Sequence, residues 1–228
     1  MKPLKAFSGL VVAATLVLLA GVSRADIELD FASLTGASVH TVGNGTQYGG
    51  GDCQFLPTST SQNQFRITFS SGVGDSVTDT GYMTGTFHIG TITTLFPGIQ
   101  TAPVTGIGSV TIHGGGGDLT GTLIWNAIAR VGAGDTLNFN GDINLTGIQY
   151  DGTQHDLVAL KNAGSGTEVI TFQFSSRPPY SLEYLCAQQT DSSFSGAISA
   201  VPEATTLFAG AGALGLVLVC MGVRKSKK

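Results

Sequence analysis

Charge is scarce in this chain of 228 residues, with Asp, Glu, Lys and Arg making up 11% of it, against about 25% in an ordinary globular protein. That scarcity excludes a coiled coil and a charge-rich disordered chain. There is one tryptophan, and cysteine and methionine occur three times each. Cations are scarcest in the middle: residues 26–200 keep only Arg66, Arg130, Lys161 and Arg177 against fourteen acids, a net of −10. An acidic body repels phosphate backbones and anionic lipid surfaces, so nucleic acid is excluded as a partner. Two other things are missing. No segment of the middle shows a 3.6-residue apolar period, and no G-x-S-x-G nucleophile elbow occurs. What is plentiful is glycine, 33 residues, about twice the usual frequency. A hydrophobic fraction of 42% is enough to supply a core.

Most of the basic residues lie in the tails. Lys2 and Lys5 precede an uncharged apolar run over residues 6–22. Ser23-Arg24-Ala25 then places small residues at the −3 and −1 positions of a cut between Ala25 and Asp26. This is the anatomy of a secretory signal peptide over residues 1–25. At the other end residues 204–223 form an uncharged run of 20. As a helix it would reach about 30 Å, the thickness of a bilayer's hydrocarbon core. The basic cluster Arg224, Lys225, Lys227 and Lys228 follows at once and should stay on the cytoplasmic side. The expected topology is a domain outside the inner membrane, tethered transiently through a C-terminal transmembrane helix.

Val201-Pro202-Glu203, the apolar segment and the basic tail together resemble the PEP-CTERM sorting signal of exopolysaccharide-producing bacteria, a C-terminal profile also called the ice-binding protein C-terminal domain. Val201, Pro202 and Glu203 match its signature positions, and Ala204 stands where a second proline is common. The resemblance covers residues 201–228 and implies recognition by an exosortase, a membrane cysteine protease-transpeptidase, after signal peptidase has acted. Delivery to the cell surface or extracellular matrix is then expected, where exopolysaccharide is a candidate partner. It carries no implication for the activity of residues 26–200.

The middle alternates. Phe65, Ile67 and Phe69 interleave with Arg66, Thr68 and Ser70; Ile170, Phe172 and Phe174 interleave with Thr171, Gln173 and Ser175. Residues 119–129 repeat the pattern around Trp125. Gly-Asp pairs at 51–52, 74–75, 117–118, 134–135 and 141–142 supply turn chemistry. The pattern predicts an all-β fold, a single β-sandwich or jelly-roll-like domain. Strands are expected to begin near Ile27, Phe65, Tyr82, Ser109, Leu119, Leu137, Ile143, Leu157 and Val169, with no helix but the anchor. Cys53 and Cys186 would meet an oxidising compartment, so a disulfide between them is expected.

Candidate chemistry is thin. His113-Gly114-Gly115-Gly116-Gly117 has the look of an oxyanion-hole loop but lacks its nucleophile, and reads as a flexible loop. His40, His88, His113 and His155 have no partner at i+2 or i+4, so no local metal bite exists. Asn138, Asn140, Asp142 and Asn144 space oxygens as a calcium loop would, with one carboxylate where calcium wants several; a polar strand-turn-strand is the better reading. Thr-x-Thr pairs at 58/60, 78/80, 84/86, 91/93 and 120/122 would make a hydroxyl array for ice or a sugar polymer if stacked, but their irregular spacing argues against simple stacking. Tyr48, Tyr82, Tyr150, Tyr180, Tyr184 and Trp125 are the groups able to stack on sugar rings, Trp125 reading rather as core. Asp135, Asp142, Asp151, Asp156, Glu168 and Glu183 contain no pair singled out by spacing for glycoside hydrolysis. The sequence therefore points to a non-enzymatic surface or matrix protein with a structural or interaction role, without catalytic residue, metal or cofactor. A carbohydrate-binding module or adhesin is the alternative, and a secreted glycan hydrolase comes after it.

Overall fold

The computed structural model describes residues 27–44, 48–96, 98–131, 138–173 and 181–200. The signal-peptide cut at Ala25 and Asp26, the motif Val201, Pro202 and Glu203, the apolar run 204–223 and the cluster Arg224, Lys225, Lys227 and Lys228 lie outside the described residues. Among those described, no helix is long and apolar enough to cross a membrane.

Among the described residues twelve strands carry the fold: β1 (Glu28–Ser33), β2 (Ser38–Val42), β3 (Asp52–Leu56), β4 (Phe65–Ser70), β5 (Thr80–Ile89), β6 (Thr93–Phe96), β7 (Ile99–Thr105), β8 (Ile107–Gly114), β9 (Gly117–Val131), β10 (Asn138–Tyr150), β11 (Ser165–Gln173) and β12 (Thr190–Ala200). All their pairings are antiparallel, so the all-β class holds. The pairings close on themselves. β1 pairs β12, and the path runs on through β11, β10, β9, β8, β5 and β4 back to β1. A second closed path leaves β12 through β2, β3, β5 and β7 to β9. The long strands β5 and β9 to β12 belong to both paths. One end of this tube is thus completed by β1, β4 and β8, and the other by β2, β3 and β7. Closure gives every strand of either path two neighbours, β6 standing outside them and pairing only β7, and eight strands leave an interior just wide enough for side chains.

Aromatic rings fill that interior. Phe65 meets Phe31 at 5.0 Å between centroids, Phe31 meets Phe194 at 6.3 Å, and Phe194 meets Phe55 at 5.5 Å. Phe55 continues to Phe87, Phe87 to Trp125 at 5.2 Å, and Trp125 to Phe172 at 5.5 Å. Trp125 is a core residue, and its indole N–H donates to the Ala127 carbonyl at 2.7 Å.

The seam where β4 gives way to β3 beside β5 is bridged by a side chain. Gln64 is buried, and its amide donates to the Phe55 and Met83 carbonyls while accepting from the Met83 N–H at 2.9 Å. It does for Met83 what a neighbouring peptide group would do.

Several expectations need correction. Leu157 lies in a helix, α1 (His155–Ala163), not a strand, and a second helix, α2 (Leu182–Ala187), follows β11. In α1, Leu157 and Leu160 are both buried and three apart, and Gly164 at φ 76° stops the helix with its N–H on the Lys161 carbonyl. In α2, Leu182, Leu185 and Cys186 are buried at helical spacing, and Ser181 caps Tyr184. Both apolar faces are too short to show a period. The strands expected at Leu137 and Ile143 are one strand, β10, with no turn at Gly141-Asp142. Gly141 is inside the sheet because a Cβ there would lie 2.9 Å from the Trp125 ring. The glycine run is not a flexible loop: Gly114 pairs Gly117 across a two-residue hairpin in which Gly115 and Gly116 have φ of 60° and 81°, the backbone a tight primed turn requires.

Candidate functional site

Strand register brings together hydroxyls that the sequence scatters. Thr84 on β5 faces Ser109 on β8, Ser109 faces Thr122 on β9, Thr122 faces Thr146 on β10, and Thr146 faces Ser165 on β11. Thr84 Oγ1 and Ser109 Oγ are 2.7 Å apart. These five positions alternate with buried neighbours such as Met83, Val110, Leu123 and Leu145, so they form one row on the outer face. At an interstrand step of about 4.8 Å the row extends about 19 Å. On its flank runs the exposed apolar pair Ile107 and Ile124, which are cross-strand partners. The Thr-x-Thr pairs 84/86 and 120/122 do not stack as pairs; each places one member, Thr84 and Thr122, in this row. The rung between them is Ser109, and strand pairing, not sequence spacing, sets the alignment.

The row begins at a groove of about 360 Å³ beside β3 and β5, whose lining includes Thr84 and the bridging Gln64. Its polar lining comprises Gln54, Gln62, Gln64, Tyr82, Thr84 and Thr86, and none of its lining residues carries a formal charge. Gln54 donates to Thr86 Oγ1 at 3.1 Å, and the Tyr82 ring sits 5.6 Å from the His113 ring, so the walls are held in place. Of the other aromatic candidates, Tyr48 is exposed, Tyr150 is buried with its hydroxyl donating to the Gly114 carbonyl, and Tyr184 is half-buried on α2. Tyr180 is outside the described residues.

All four histidines are paired with aspartates. His40 meets Asp191 at 2.8 Å, His88 meets Asp52 at 2.8 Å, and His113 meets Asp118 at 2.7 Å, each pair directly opposed on adjacent strands. His155 meets Asp75 at 3.0 Å. Among the described residues no three His, Cys, Asp or Glu converge as a metal site.

Asp75 and Asp156 form a two-sided clasp, Asp75 holding the start of α1 and Asp156 holding the loop that carries Asp75. Asp75 accepts from the N–H groups of His155 at 2.6 Å and Asp156 at 3.1 Å, at the positive end of α1. Asp156, fully buried, accepts from the N–H groups of Val73 and Gly74 and from the Ser76 hydroxyl at 2.8, 3.0 and 3.1 Å. Burial pushes the Asp75 carboxyl up, but these donors and the His155 ring outweigh it and hold it below the usual range. Asp79, beside the clasp, is pushed up by burial and by the charges of Asp75 and Asp156, against a hydrogen bond from Gln154. Asp156 is thus a structural tie and not half of a glycosidase pair.

The remaining acids divide sharply. Glu183 accepts from Gln100 Nε2 at 2.5 Å, and Gln100 Oε1 in turn accepts from the Leu182 N–H at the start of α2. Burial raises Glu183, but its hydrogen bonds and the Arg130 charge hold it low. Glu168 on β11 is wholly buried between Ile143 and Ile198, its cross-strand neighbours, with no partner for either carboxylate oxygen. Burial pushes its carboxyl up to about 8. Asp151 is exposed beside the β10 end. Asp135 lies outside the described residues, as do the side chains of Asn138, Asn140 and Asp142, so the calcium reading has only their continuous strand to stand on.

The expected disulfide is not formed. Cys53 and Cys186 are both buried free thiols. They lie near enough that burial first, then Cys186 and Asp52, raise Cys53 well above the ordinary thiol range. Burial likewise raises Cys186. The topology did bring the two ends of the domain together, as a disulfide would need; Asn44 beyond β2 bonds the Cys186 carbonyl.

Comparison with protein-family models, curated proteins and solved structures returned no match. Sequence reasoning singled out Thr84 and Thr122 as members of Thr-x-Thr pairs but missed the row they share with Ser109, Thr146 and Ser165, and it missed the Gln64 bridge, because each depends on which strands pair.

Proposed function

We propose that this is an exported bacterial protein of the cell surface or extracellular matrix, sorted by its C-terminal tail and acting there through its β-domain in a structural or interaction role. The observation that carries the reading is the three-part order of Val201-Pro202-Glu203, an uncharged run of 20 residues and a basic cluster, behind a signal-peptide-like leader. Signal peptidase would cut between Ala25 and Asp26. The run 204–223 would hold the chain in the inner membrane until an exosortase processes it near Val201. The domain would then stay non-enzymatic, and its closed ring would be flattened into the two facing walls of a sandwich, jelly-roll-like domain across the aromatic column. A carbohydrate-binding role is the second reading, favoured by the uncharged groove beside Tyr82.

Intact mass of the native protein from culture fluid and membrane fractions tests the sorting. A mass near residues 26–201 plus an added group, in the surface or fluid fraction, is the expected result. A mass of residues 26–228 held in the membrane would mean a stable anchor and no exosortase step.

A further inference from the structure

We infer that the groove between β3 and β5, together with the row Thr84, Ser109, Thr122, Thr146 and Ser165, is a binding site for a neutral glycan chain. The inference rests on the carbohydrate-binding reading of this groove and not on how the tail is processed. Three observations select the ligand class. First, the groove lining and the hydroxyl row contain no formal charge, while residues 26–200 carry a net of −10. An anionic polymer is repelled by that field and finds no cation to pair with. Second, the groups on offer are amides and hydroxyls held in place by each other: Gln54 on Thr86, and Thr84 on Ser109. A carboxamide or hydroxyl that has spent one donor or lone pair keeps others for a ligand, and polar groups fixed beforehand lose little entropy on binding. Third, the site is amphipathic in the way a sugar ring is. Tyr82 gives an aromatic surface in the groove, and the exposed pair Ile107 and Ile124 lies alongside the hydroxyl row, so C–H faces and hydroxyl edges both find a match. The volume of about 360 Å³ is in the range of small-ligand sites. The row running away from the groove extends the contact in one direction, as an oligosaccharide and not a monosaccharide would use it.

The test uses the full chain and defined oligosaccharides. Cellohexaose, maltohexaose and laminarihexaose are titrated calorimetrically, with hexagalacturonate as the charged control. At least one neutral hexasaccharide should bind, its monosaccharide much more weakly, and hexagalacturonate not at all. Tyr82→Ala should weaken binding by about tenfold, as loss of a stacking surface does. Thr122→Val, which keeps the β-branched shape and removes one hydroxyl from the middle of the row, should weaken it by about fivefold. Thermal unfolding of each variant shows that the fold is intact. Thr60→Val, in the loop after β3 and outside the row, should leave binding unchanged. The inference is overturned if no neutral hexasaccharide binds at millimolar concentration. It is equally overturned if binding survives both site substitutions, or if the charged chain binds as well as the neutral ones. Intact-mass results on the tail move independently of every one of these outcomes.

Discussion

Asp156 and Glu168 are two carboxyl groups twelve residues apart, both almost completely removed from water, and they live in opposite circumstances. Asp156 opens the first turn of α1 and meets backbone N–H groups of the β4–β5 loop and a serine hydroxyl. Glu168 points from the middle of a strand into apolar surroundings and meets nothing. Burial alone therefore does not tell what a carboxyl group contributes. A carboxylate with several donors ties two segments together, whereas one without donors holds its proton and weakens the fold as pH rises. Gln64 is a third buried polar group, and like Asp156 it is fully engaged, bridging two strands that have no other link at that point.

The largest expected effect breaks the contrast at Glu168. Its folded value is about 8 against an ordinary 4.5. Below the unfolded value both states hold the proton and no pH-dependent penalty exists. Between the two values the native state keeps a proton that the unfolded chain releases, so stability falls by about 1.4 kcal/mol per pH unit, and by about 5 kcal/mol in all. Glu168→Gln should abolish that fall, and Glu168→Met should raise stability further by removing the unpaired polar atoms. Urea unfolding at pH 5, 6.5 and 8 reads the slope. A wild-type stability flat across this range would show that the carboxyl has found a donor. Next, Gln64→Leu leaves three backbone groups at the seam without partners and should cost about 4 kcal/mol, visible as a lowered urea midpoint. A loss below about 1 kcal/mol would mean that water or a shifted strand takes over the bridge. Asp156→Ala should cost about 3 kcal/mol, less than Gln64 because the loop donors of Val73 and Gly74 can turn to solvent. Hydrogen exchange at those two amides should accelerate with it. Asp75→Asn is the smallest, about 1 kcal/mol, because the amide keeps one acceptor oxygen but loses the other and the charge at the positive end of α1. Because the folded value of Asp75 is lowered, its contribution is present above the ordinary aspartate range and disappears as pH falls through the lower folded value. The difference between Asp75→Asn and wild type should therefore shrink in acid.

Much of the strand content was legible because alternation over Phe65–Phe69 and around Trp125 has only one reading on a pleated surface with one buried face. Short segments were not. β2, β3 and β6 are four or five residues long, too short for a period to emerge, and α1 hides its helical spacing in a single Leu157–Leu160 step. The glycines misled in both directions. Gly115-Gly116 makes a tight hairpin instead of a loose loop, and Gly141 is a space-saving residue under an indole instead of a turn. The candidate groove was legible only in fragments, as the Thr84/Thr86 pair and, among the described tyrosines, Tyr82.

By itself the sequence determined what is local or compositional: an acidic, β-rich body between two apolar segments with basic flanks, a single tryptophan for the core, and no nucleophile elbow or local metal bite. These follow from residue identity and short-range spacing. The tertiary structure decided everything that depends on which strand lies beside which. It aligned Thr84, Ser109, Thr122, Thr146 and Ser165 into one row, set each histidine against an aspartate, and left Glu168 without a donor. The physical reason is that antiparallel pairing fixes neighbours by register, and register is set by the burial of a whole face at once, information that no short stretch of the chain contains.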